Sequence, residues 1–175
     1  LGSIGRRHLR NLISLGEEHL FLLRSGKSTL PDDELSTFQA EHDLQVALER
    51  WSTEAVIISN PTALHKQVAL PAAEAGCHLF LEKPVSHSMD HINELDKNLQ
   101  KSGKNCFVGF QFRFHPGLRE LKKLLDDGVI GEIVSVRVSW GEYLPDWQPW
   151  EDYRQSYSAK QELGGGVLLT LCHPF

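Results

Sequence analysis

The chain opens on Leu-Gly-Ser-Ile-Gly-Arg-Arg-His at positions 1–8, which has the pattern of the second half of a glycine-rich nucleotide loop. Gly2 and Gly5 have the spacing of the second and third glycines of G-x-G-x-x-G, with Ser3 and Ile4 between them. Glycine lets the backbone approach a pyrophosphate, and the helix that follows offers free N–H groups and a positive dipole end. An ordinary helix start can also contain two glycines. The first glycine and the strand leading into it would lie upstream, so we expect a piece of a longer protein.

Helical and strand patterns alternate along the first two-thirds of the chain. Helical apolar spacing covers 4–15, 43–51, 62–75 and 89–103, and short apolar runs cover 19–23, 55–59, 78–81 and 106–110. Strands that alternate with helices predict βαβ units and a parallel sheet covered on both faces. In the third helix we expect Thr62 to be the N-cap. We also expect Pro71 to cause a kink or an early start, because proline removes a helical hydrogen bond.

The pattern changes after Phe114. An amphipathic helix over 118–125 ends at Gly128, and the segment 132–140 then alternates valine and Trp140 with polar residues. Such alternation predicts a half-exposed strand of an antiparallel or mixed sheet. We therefore predict an α/β domain with a Rossmann-type parallel sheet at 1–114, and the start of a second domain at 115–175. One more strand or helix fits 166–172, which is too little to bury a sheet face.

Composition narrows the class of protein. An apolar content of 41% suffices for a globular core, and no run approaches the roughly 18 apolar residues of a membrane span. The formal charge of −5 disfavours a nucleic-acid surface, which needs a concentrated basic patch. Three widely spaced cysteines, of which we expect Cys106 to be core, indicate a reducing, cytoplasmic compartment. His87 and His91 stand at i and i+4 on a predicted helix, but without a third ligand we predict no metal site.

The residues that follow the strand at 19–23 bear on the choice of cofactor. About 20 residues after the loop, an enzyme that uses NAD usually places Asp or Glu on the ribose 2′-hydroxyl. Here the sequence is Arg24-Ser25-Gly26-Lys27. A guanidinium and a hydroxyl suit a 2′-phosphate. We therefore expect Arg24 and Ser25 to bind the cofactor and to favour NADP over NAD. The alternative is a solvated Arg24 and either cofactor.

Glu82-Lys83-Pro84 directly follows the strand at 78–81. Ligands of open α/β sheets bind at the carboxyl ends of the strands, which is where this tripeptide would stand. A lysine that is desolvated, or close to a cation such as oxidised nicotinamide, loses its proton more readily. Lys83 is therefore a candidate proton shuttle for a substrate hydroxyl while hydride leaves the same carbon. Taken in isolation, Lys-Pro is a common dipeptide and favours a surface lysine.

Five motifs follow one another along the chain. In order they are Gly-Ser-Ile-Gly-Arg-Arg-His, Asn60-Pro61-Thr62 with His65, Glu82-Lys83-Pro84, Gln111-Phe112-Arg113-Phe114, and Gly164-Gly165-Gly166 with His173. Together they resemble the glucose–fructose oxidoreductase / inositol dehydrogenase family (Gfo/Idh/MocA). The resemblance implies a Rossmann domain followed by an α/β domain on a large, mostly antiparallel sheet, so that 115–175 would be the start of a substrate and oligomerisation domain. It also implies NAD(P)-dependent redox chemistry at a carbinol carbon of a sugar, polyol or related compound.

The resemblance also implies roles for single residues. Lys83 matches the catalytic lysine, and His173 matches the histidine that partners it around the substrate hydroxyl. The loop that lies against the cofactor would consist of Asn60, Pro61, Thr62 and His65. Glu82 would stand near the nicotinamide ribose. The other substrate-side positions would be Arg113, Tyr153 and Arg154. The Lys83–Pro84 bond is a candidate cis peptide, and His173 by itself is compatible with a hydrogen-bonded core residue.

Two departures from the family pattern leave alternatives open. Thr170 stands where many members carry the aspartate of Gly-Gly-Gly-x-x-x-Asp, and threonine holds no charge at neutral pH. This departure motivates the alternative of a nucleotide-binding regulator or sensor with the same fold and no turnover. Pro71 is the second departure. A further possibility is elimination or glycosidic cleavage through transient oxidation, without net change in the nucleotide.

The stretch 140–157 holds three of the four tryptophans and all three tyrosines. Aromatic rings stack on the C–H faces of sugars, which favours a lid over a carbohydrate pocket. Packing over the second sheet or a subunit contact is the alternative, since aromatic residues are enriched at interfaces. We expect a homo-oligomer, either a dimer or a tetramer, that binds a small sugar-like substrate.

Overall fold

The computed structural model describes residues 1–28, 30–147, 149 and 152–171. The chain divides into two compact units, Leu1–Val108 and Gly109–Phe175. The predicted division, between 114 and 115, falls within the second unit. The predicted catalytic residue His173 lies outside the described residues.

The first unit alternates helices with parallel strands. Its elements are α1 (Ser3–Ser14), β1 (Leu22–Leu23), β2 (Ala40–Glu41), α2 (Leu44–Arg50), β3 (Ala55–Ile58), α3 (His65–Glu74), β4 (His78–Leu81), α4 (Ile92–Ser102) and β5 (Cys106–Val108). β1 pairs with β2, while β4 lies between β3 and β5, and every pair is parallel. The predicted α/β class with a Rossmann-type parallel sheet is therefore confirmed. In doubly wound sheets the strand that enters the glycine loop lies between two such groups of strands.

The core of this unit lies between the three-stranded sheet and the helices α3 and α4. Ala69, Ala72 and Ala73 of α3 are at most 1% exposed, and their small side chains let the helix approach β4 closely. Leu79 and Leu81 of β4 complete this contact. Burying a leucine side chain stabilises a fold by about 1.5–3 kcal/mol, so this layer fixes the position of β4 and of the residues that follow it.

The start of α3 differs from the prediction. Residues Thr62–Leu64 form a 3₁₀ turn, in which the Leu64 amide donates to the Pro61 carbonyl at 2.8 Å, and α3 begins at His65. The prediction that Thr62 caps the helix is wrong, because Thr62 lies within this tight turn and the N-cap residue of α3 is Leu64. Pro71 lies inside α3, which continues to Glu74.

Three smaller expectations are also corrected. β1 covers only Leu22–Leu23 of the predicted 19–23. Met89 is 81% exposed and precedes α4, because His91 adopts a left-handed conformation (φ 61°) that interrupts the helical path. Cys106 is exposed rather than core, since it opens β5, which lies at one edge of the described three-stranded sheet.

The described part of the second unit contains helices and 3₁₀ turns. The helices are α5 (Pro116–Asp126), α6 (Leu144–Trp147) and α7 (Val167–Leu171). α5 confirms the helix predicted over 118–125. The strand predicted over 132–140 is wrong, because these residues form no ladder with any described segment and Val134 is 96% exposed. The alternation of apolar and polar residues indicates which face of a segment would be buried, but a strand also needs a partner strand to pair with. No helix in the described ranges is long and apolar enough to cross a bilayer.

Helix α1 approaches the end of β3 at Gly5. A Cβ at Gly5 would lie 2.9 Å from the Ser59 Oγ and 3.4 Å from the Leu1 side chain. Ser59 follows β3 directly, so a residue without a side chain lets α1 pack against the carboxyl end of this strand, as the third glycine of the loop does. Gly2 differs, because a Cβ there would meet no described atom within 4 Å.

We expect the effect of Gly5→Ala on the free energy of unfolding to depend on the residue at position 59. Alanine favours a helix interior over glycine by about 1 kcal/mol, whereas the contact with the Ser59 Oγ costs about 1–3 kcal/mol. The substitution should therefore lower the free energy of unfolding in the wild type and raise it in a Ser59→Ala background. Chemical denaturation of the four variants measures this. Gly2→Ala is the control and should show little dependence on residue 59. An equal effect of Gly5→Ala in both backgrounds would show that the contact is not what excludes a side chain.

Candidate active site

The N-terminal turn of α1 is available to an anion. Gly2 is the N-cap residue with extended backbone (φ −77°, ψ −177°), and the first turn contains no acidic residue. The first helical hydrogen bond runs from the Arg6 amide to the Gly2 carbonyl at 3.1 Å. The amides of Ser3, Ile4 and Gly5 precede it and donate to no carbonyl within the helix. Backbone N–H groups at a helix start, next to an open Gly2, suit a phosphate group.

The Glu82 carboxylate joins α1 to the loop after β4. The His8 Nε2–H of α1 donates to Glu82 Oε1 at 2.7 Å, and the Lys83 amide donates to Glu82 Oε2 at 3.3 Å. The His8 and Glu82 side chains are only 18% and 15% exposed. Burial pushes the pKa of Glu82 upward, but the His8 hydrogen bond and then the Lys83 amide and charge hold it below its usual value. Glu82 is therefore an ionised group within the site.

Lys83 stands at the carboxyl end of β4, two residues beyond Leu81. It is half-buried, and this burial lowers the pKa of its ammonium, while the negative charge of Glu82 offsets part of the effect. The Lys83–Pro84 bond is cis, as predicted. A lysine with a lowered pKa exchanges protons closer to neutral pH than a surface lysine does.

His65 links the loops that follow β3 and β4. Its ring is 1% exposed, with Nε2 at 3.0 Å from the Asn60 carbonyl oxygen and Nδ1 at 3.2 Å from the Val85 carbonyl oxygen. A neutral imidazole has one N–H and can donate to only one of these oxygens at a time. Burial lowers the pKa of His65, and the carbonyl groups around the ring and the charge of Glu82 oppose this only in part. The Asn60 side chain donates to the Leu64 carbonyl at 3.2 Å.

The residues predicted to select the cofactor follow β1. Arg24 Nη2 lies 2.5 Å from Asp32 Oδ2, so the guanidinium is in an ion pair rather than solvated. The Ser25 hydroxyl accepts a hydrogen bond from the Lys27 amide at 3.3 Å. Both residues stand at the end of β1, where the sequence places them.

Apart from Lys83, the described residues that are predicted to bind substrate belong to the second unit. Arg113 is exposed in the 3₁₀ turn Gln111–Phe114. The Arg154 guanidinium lies 4.7 Å from the centroid of the Tyr153 ring, and its Nη1 lies 3.6 Å from Asp152 Oδ1. The Thr170 hydroxyl donates to the Gly166 carbonyl at 2.7 Å. The contact of Arg113, Tyr153 and Arg154 with a substrate stays a prediction, as does the role of His173.

Packing accounts for the three consecutive glycines. Gly164 and Gly166 have positive φ angles of 81° and 100°, which favour glycine. A Cβ at Gly165 would lie 2.3 Å from the Tyr157 carbonyl oxygen and 2.7 Å from that of Ser158. The motif therefore forms a tight turn that leads into α7.

His87 and His91 do not assemble a metal site with other described residues. His91 Nδ1 lies 2.7 Å from Glu94 Oε2, and within the described ranges no three His, Cys, Asp or Glu side chains are close enough to hold a metal ion. Both histidines instead line a shallow surface depression with Lys66, Ser88 and Asp90.

The first unit fits a dinucleotide. Gly2 leaves space in front of α1 for a pyrophosphate. Among the described residues, the buried Asn60 Oδ1 and Arg24 Nε have no hydrogen-bond partner. These polar atoms lie at the ends of β3 and β1, on the edge of a parallel sheet where such ligands bind. An unpaired buried polar atom is costly, and a ligand that pairs with it recovers the cost.

Comparison with known proteins agrees with this geometry. Residues 1–110 match the model described as an oxidoreductase family with an NAD-binding Rossmann fold, and residues 118–175 match the GFO/IDH/MocA C-terminal domain. The chain belongs to the Gfo/Idh/MocA oxidoreductase family. The family resemblance drawn from the five motifs is therefore confirmed, and so is an NAD-type dinucleotide as the cofactor class.

Similar proteins include enzymes of sugar and polyol metabolism. The chain is 38% identical to 2,7-anhydro-N-acetylneuraminate hydratase of Mediterraneibacter gnavus over 60% of its own length and 29% of that protein. It is 29% identical to scyllo-inositol 2-dehydrogenase (NAD(+)) of Bacillus subtilis, over 75% of its own length and 40% of that protein. The structure of myo-inositol 2-dehydrogenase from Lactobacillus plantarum matches with a TM-score of 0.65 and 26% identity, over 75% of this chain and 40% of that one. The chain thus spans less than half the length of these relatives.

Sequence reasoning did not single out three residues of this site. Ser59 contacts Gly5, His8 binds Glu82, and Asp32 binds Arg24. His8 stands within the quoted glycine-loop motif, and this position was the only available signal. The other two contacts join residues far apart in sequence whose types are common on surfaces.

We expect His65 to make the stability of the protein depend on pH. Because its folded pKa lies below the ordinary value of 6.5, the unfolded chain binds a proton first as pH falls. The free energy of unfolding should therefore fall as pH drops below about 6.5. His65→Gln should flatten this dependence, as measured by denaturation at pH 7, 6 and 5. His19→Gln, which replaces an exposed histidine, is the control. Identical pH dependence in wild type and His65→Gln would contradict the assignment.

Proposed function

We propose that the full-length protein is an NAD(P)-dependent oxidoreductase that transfers a hydride between nicotinamide and a carbinol carbon of a sugar, polyol or related compound. The observation that carries this proposal is the half-buried Lys83 with its lowered pKa. It stands at the carboxyl end of β4, and Glu82 connects it to the nucleotide-loop helix through His8.

The residues of the first unit have separate tasks in this reaction. The bound nicotinamide supplies the hydride acceptor for oxidation or the donor for reduction. The amides of Ser3, Ile4 and Gly5 would bind the pyrophosphate, while Asn60, Pro61, Thr62 and His65 would form the wall along the cofactor. Glu82 would stand at the nicotinamide ribose.

Lys83 would move the hydroxyl proton. In oxidation the neutral Nζ takes the proton of the substrate hydroxyl as hydride leaves the same carbon, and Lys83 becomes an ammonium. In reduction the ammonium returns this proton to the carbonyl oxygen. His173 would hydrogen-bond the same oxygen, and the second unit would contribute Arg113, Tyr153 and Arg154 to substrate binding.

Three finer features belong to the proposal. Arg24 and Ser25 favour NADP over NAD, since both can bind a 2′-phosphate. The free thiols Cys77 and Cys106 support a cytoplasmic location. A dimer or tetramer is supported by the aromatic residues that cluster at 140–157, since such residues are enriched at interfaces.

A second candidate function is net hydration or elimination by transient oxidation, in which the nucleotide returns to its starting redox state. It is favoured by the 38% identity to the Mediterraneibacter gnavus hydratase. Lys83 would move a proton in this reaction too, but no net NAD(P)H would appear. The alternative function, a nucleotide-binding regulator without turnover, rests on Thr170 alone, and no other observation favours it.

We expect Lys83→Ala to abolish turnover and leave nucleotide binding nearly intact. Loss of a positioned proton-transfer group typically costs about 10²–10⁴-fold in rate. Fluorescence titration with NADPH and NADH measures binding, and a panel of sugars and polyols measures turnover. Lys97→Ala, an exposed lysine of α4, is the control. Failure of the wild type to bind either nucleotide would overturn the proposed function, and equal loss of binding and turnover in Lys83→Ala would overturn the role of Lys83.

We expect Glu82→Gln to move the pH profile of alcohol oxidation to lower pH. The Glu82 charge raises the pKa of Lys83, so its removal lowers that pKa further and the neutral amine forms at lower pH. The amide oxygen can still accept from His8. Rates at saturating nucleotide across pH 6 to about 10 measure the shift. Glu54→Gln, an exposed glutamate, is the control. A profile that stays in place, or moves to higher pH, would contradict this coupling.

A further inference from the structure

The backbone around Arg24 fixes where its side chain begins. Its amide donates to the Glu41 carbonyl at 2.9 Å, and its carbonyl accepts from His42 Nδ1 at 2.7 Å. The Arg24 side chain is only 17% exposed. The residue therefore leaves the end of β1 in a defined direction, at the point of the fold where the ribose 2′ position is read.

Asp32 holds the Arg24 guanidinium. Its Oδ2 lies 2.5 Å from Arg24 Nη2, while its Oδ1 lies 3.5 Å from Arg6 Nη2. Hydrogen bonding from Arg24 keeps the pKa of Asp32 below its usual value, so the carboxylate is charged at neutral pH. The Asp32 side chain is 57% exposed, and an incoming anion can therefore reach the pair from solvent.

We propose that Asp32 is a specificity-determining residue that limits the preference for NADP(H) by competing with the 2′-phosphate for Arg24. This inference rests on the proposed function and concerns its cofactor. NADP(H) must share the Arg24 guanidinium with Asp32 and place a phosphate beside that carboxylate. NAD(H) carries a 2′-hydroxyl at this position and leaves the pair intact. Arg24 and Asp32 therefore act in opposite directions on the same selectivity.

The neighbouring charges provide a matched comparison. Arg6 is buried, and its Nη1 lies 3.5 Å from Glu34 Oε2, while Arg10 makes a two-pronged ion pair with the same carboxylate. Glu34 thus belongs to the same arginine–carboxylate cluster as Asp32, but it bonds Arg6 and Arg10 rather than Arg24. Asp32→Asn and Glu34→Gln remove the same charge from the cluster, and only the former releases Arg24.

The test is the affinity of the full-length protein for NADPH and NADH, measured by fluorescence titration without substrate. Asp32→Asn should raise the ratio of the NADH to the NADPH dissociation constant by about tenfold, chiefly through tighter NADPH binding. Glu34→Gln should change this ratio by less than about twofold, because Arg24 keeps its partner. Arg24→Gln should weaken NADPH binding and leave NADH binding nearly unchanged. Asp32→Ser provides a second variant should Asp32→Asn fold poorly.

The outcomes separate this inference from the proposed function. Nucleotide binding by the wild type with an unchanged ratio in Asp32→Asn overturns the role of Asp32 alone. Equal changes in Asp32→Asn and Glu34→Gln also overturn it, since they would reflect the general charge of the cluster. Absence of binding of both nucleotides to the wild type overturns the proposed function, and this inference with it.

Discussion

The hydrogen bond between His8 and Glu82 connects the parts of the first unit on which the chemistry depends. It joins the helix that begins at the glycine loop to the residue next to Lys83. Because both side chains are largely buried, the bond is shielded from water and is stronger than a surface contact. The turn that is proposed to bind phosphate and the lysine are thereby placed by one carboxylate. The close approach at Gly5 supports the same arrangement from β3.

The parallel sheet could be predicted from sequence because its signals are local. Strands are predicted by the apolar runs at 55–58 and 78–81, and helix ends by the glycines that follow the helices. Neither signal depends on the rest of the chain. The family could be recognised for a similar reason, since Glu82-Lys83-Pro84 and Asn60-Pro61-Thr62 are short contiguous motifs. The candidate role of Lys83 and the cis Lys83–Pro84 bond were predicted from these short motifs.

The remaining features of the fold and the site could not be predicted, because they depend on contacts between residues far apart in sequence or between different segments. The Arg24–Asp32 pair joins residues eight positions apart across an irregular loop, and His8 meets Glu82 over 74 positions. Thr62 is a residue type that often caps helices, but the 3₁₀ turn after Pro61 determines where α3 begins. The segment 132–140 has the alternation of a strand and no described partner, because pairing is a property of two segments. His173 lies outside the described residues, so its role remains a prediction.

The strand that leads to Lys83 is held firmly within the first unit. β4 has a neighbour on both sides over three or four residues, and its Leu79 and Leu81 are buried under α3. Local opening follows the number of buried contacts and protected hydrogen bonds. Lys83 therefore belongs to a part of the unit that opens rarely. In the proposed reaction, the group that exchanges the proton would keep its position while the surrounding loops fluctuate.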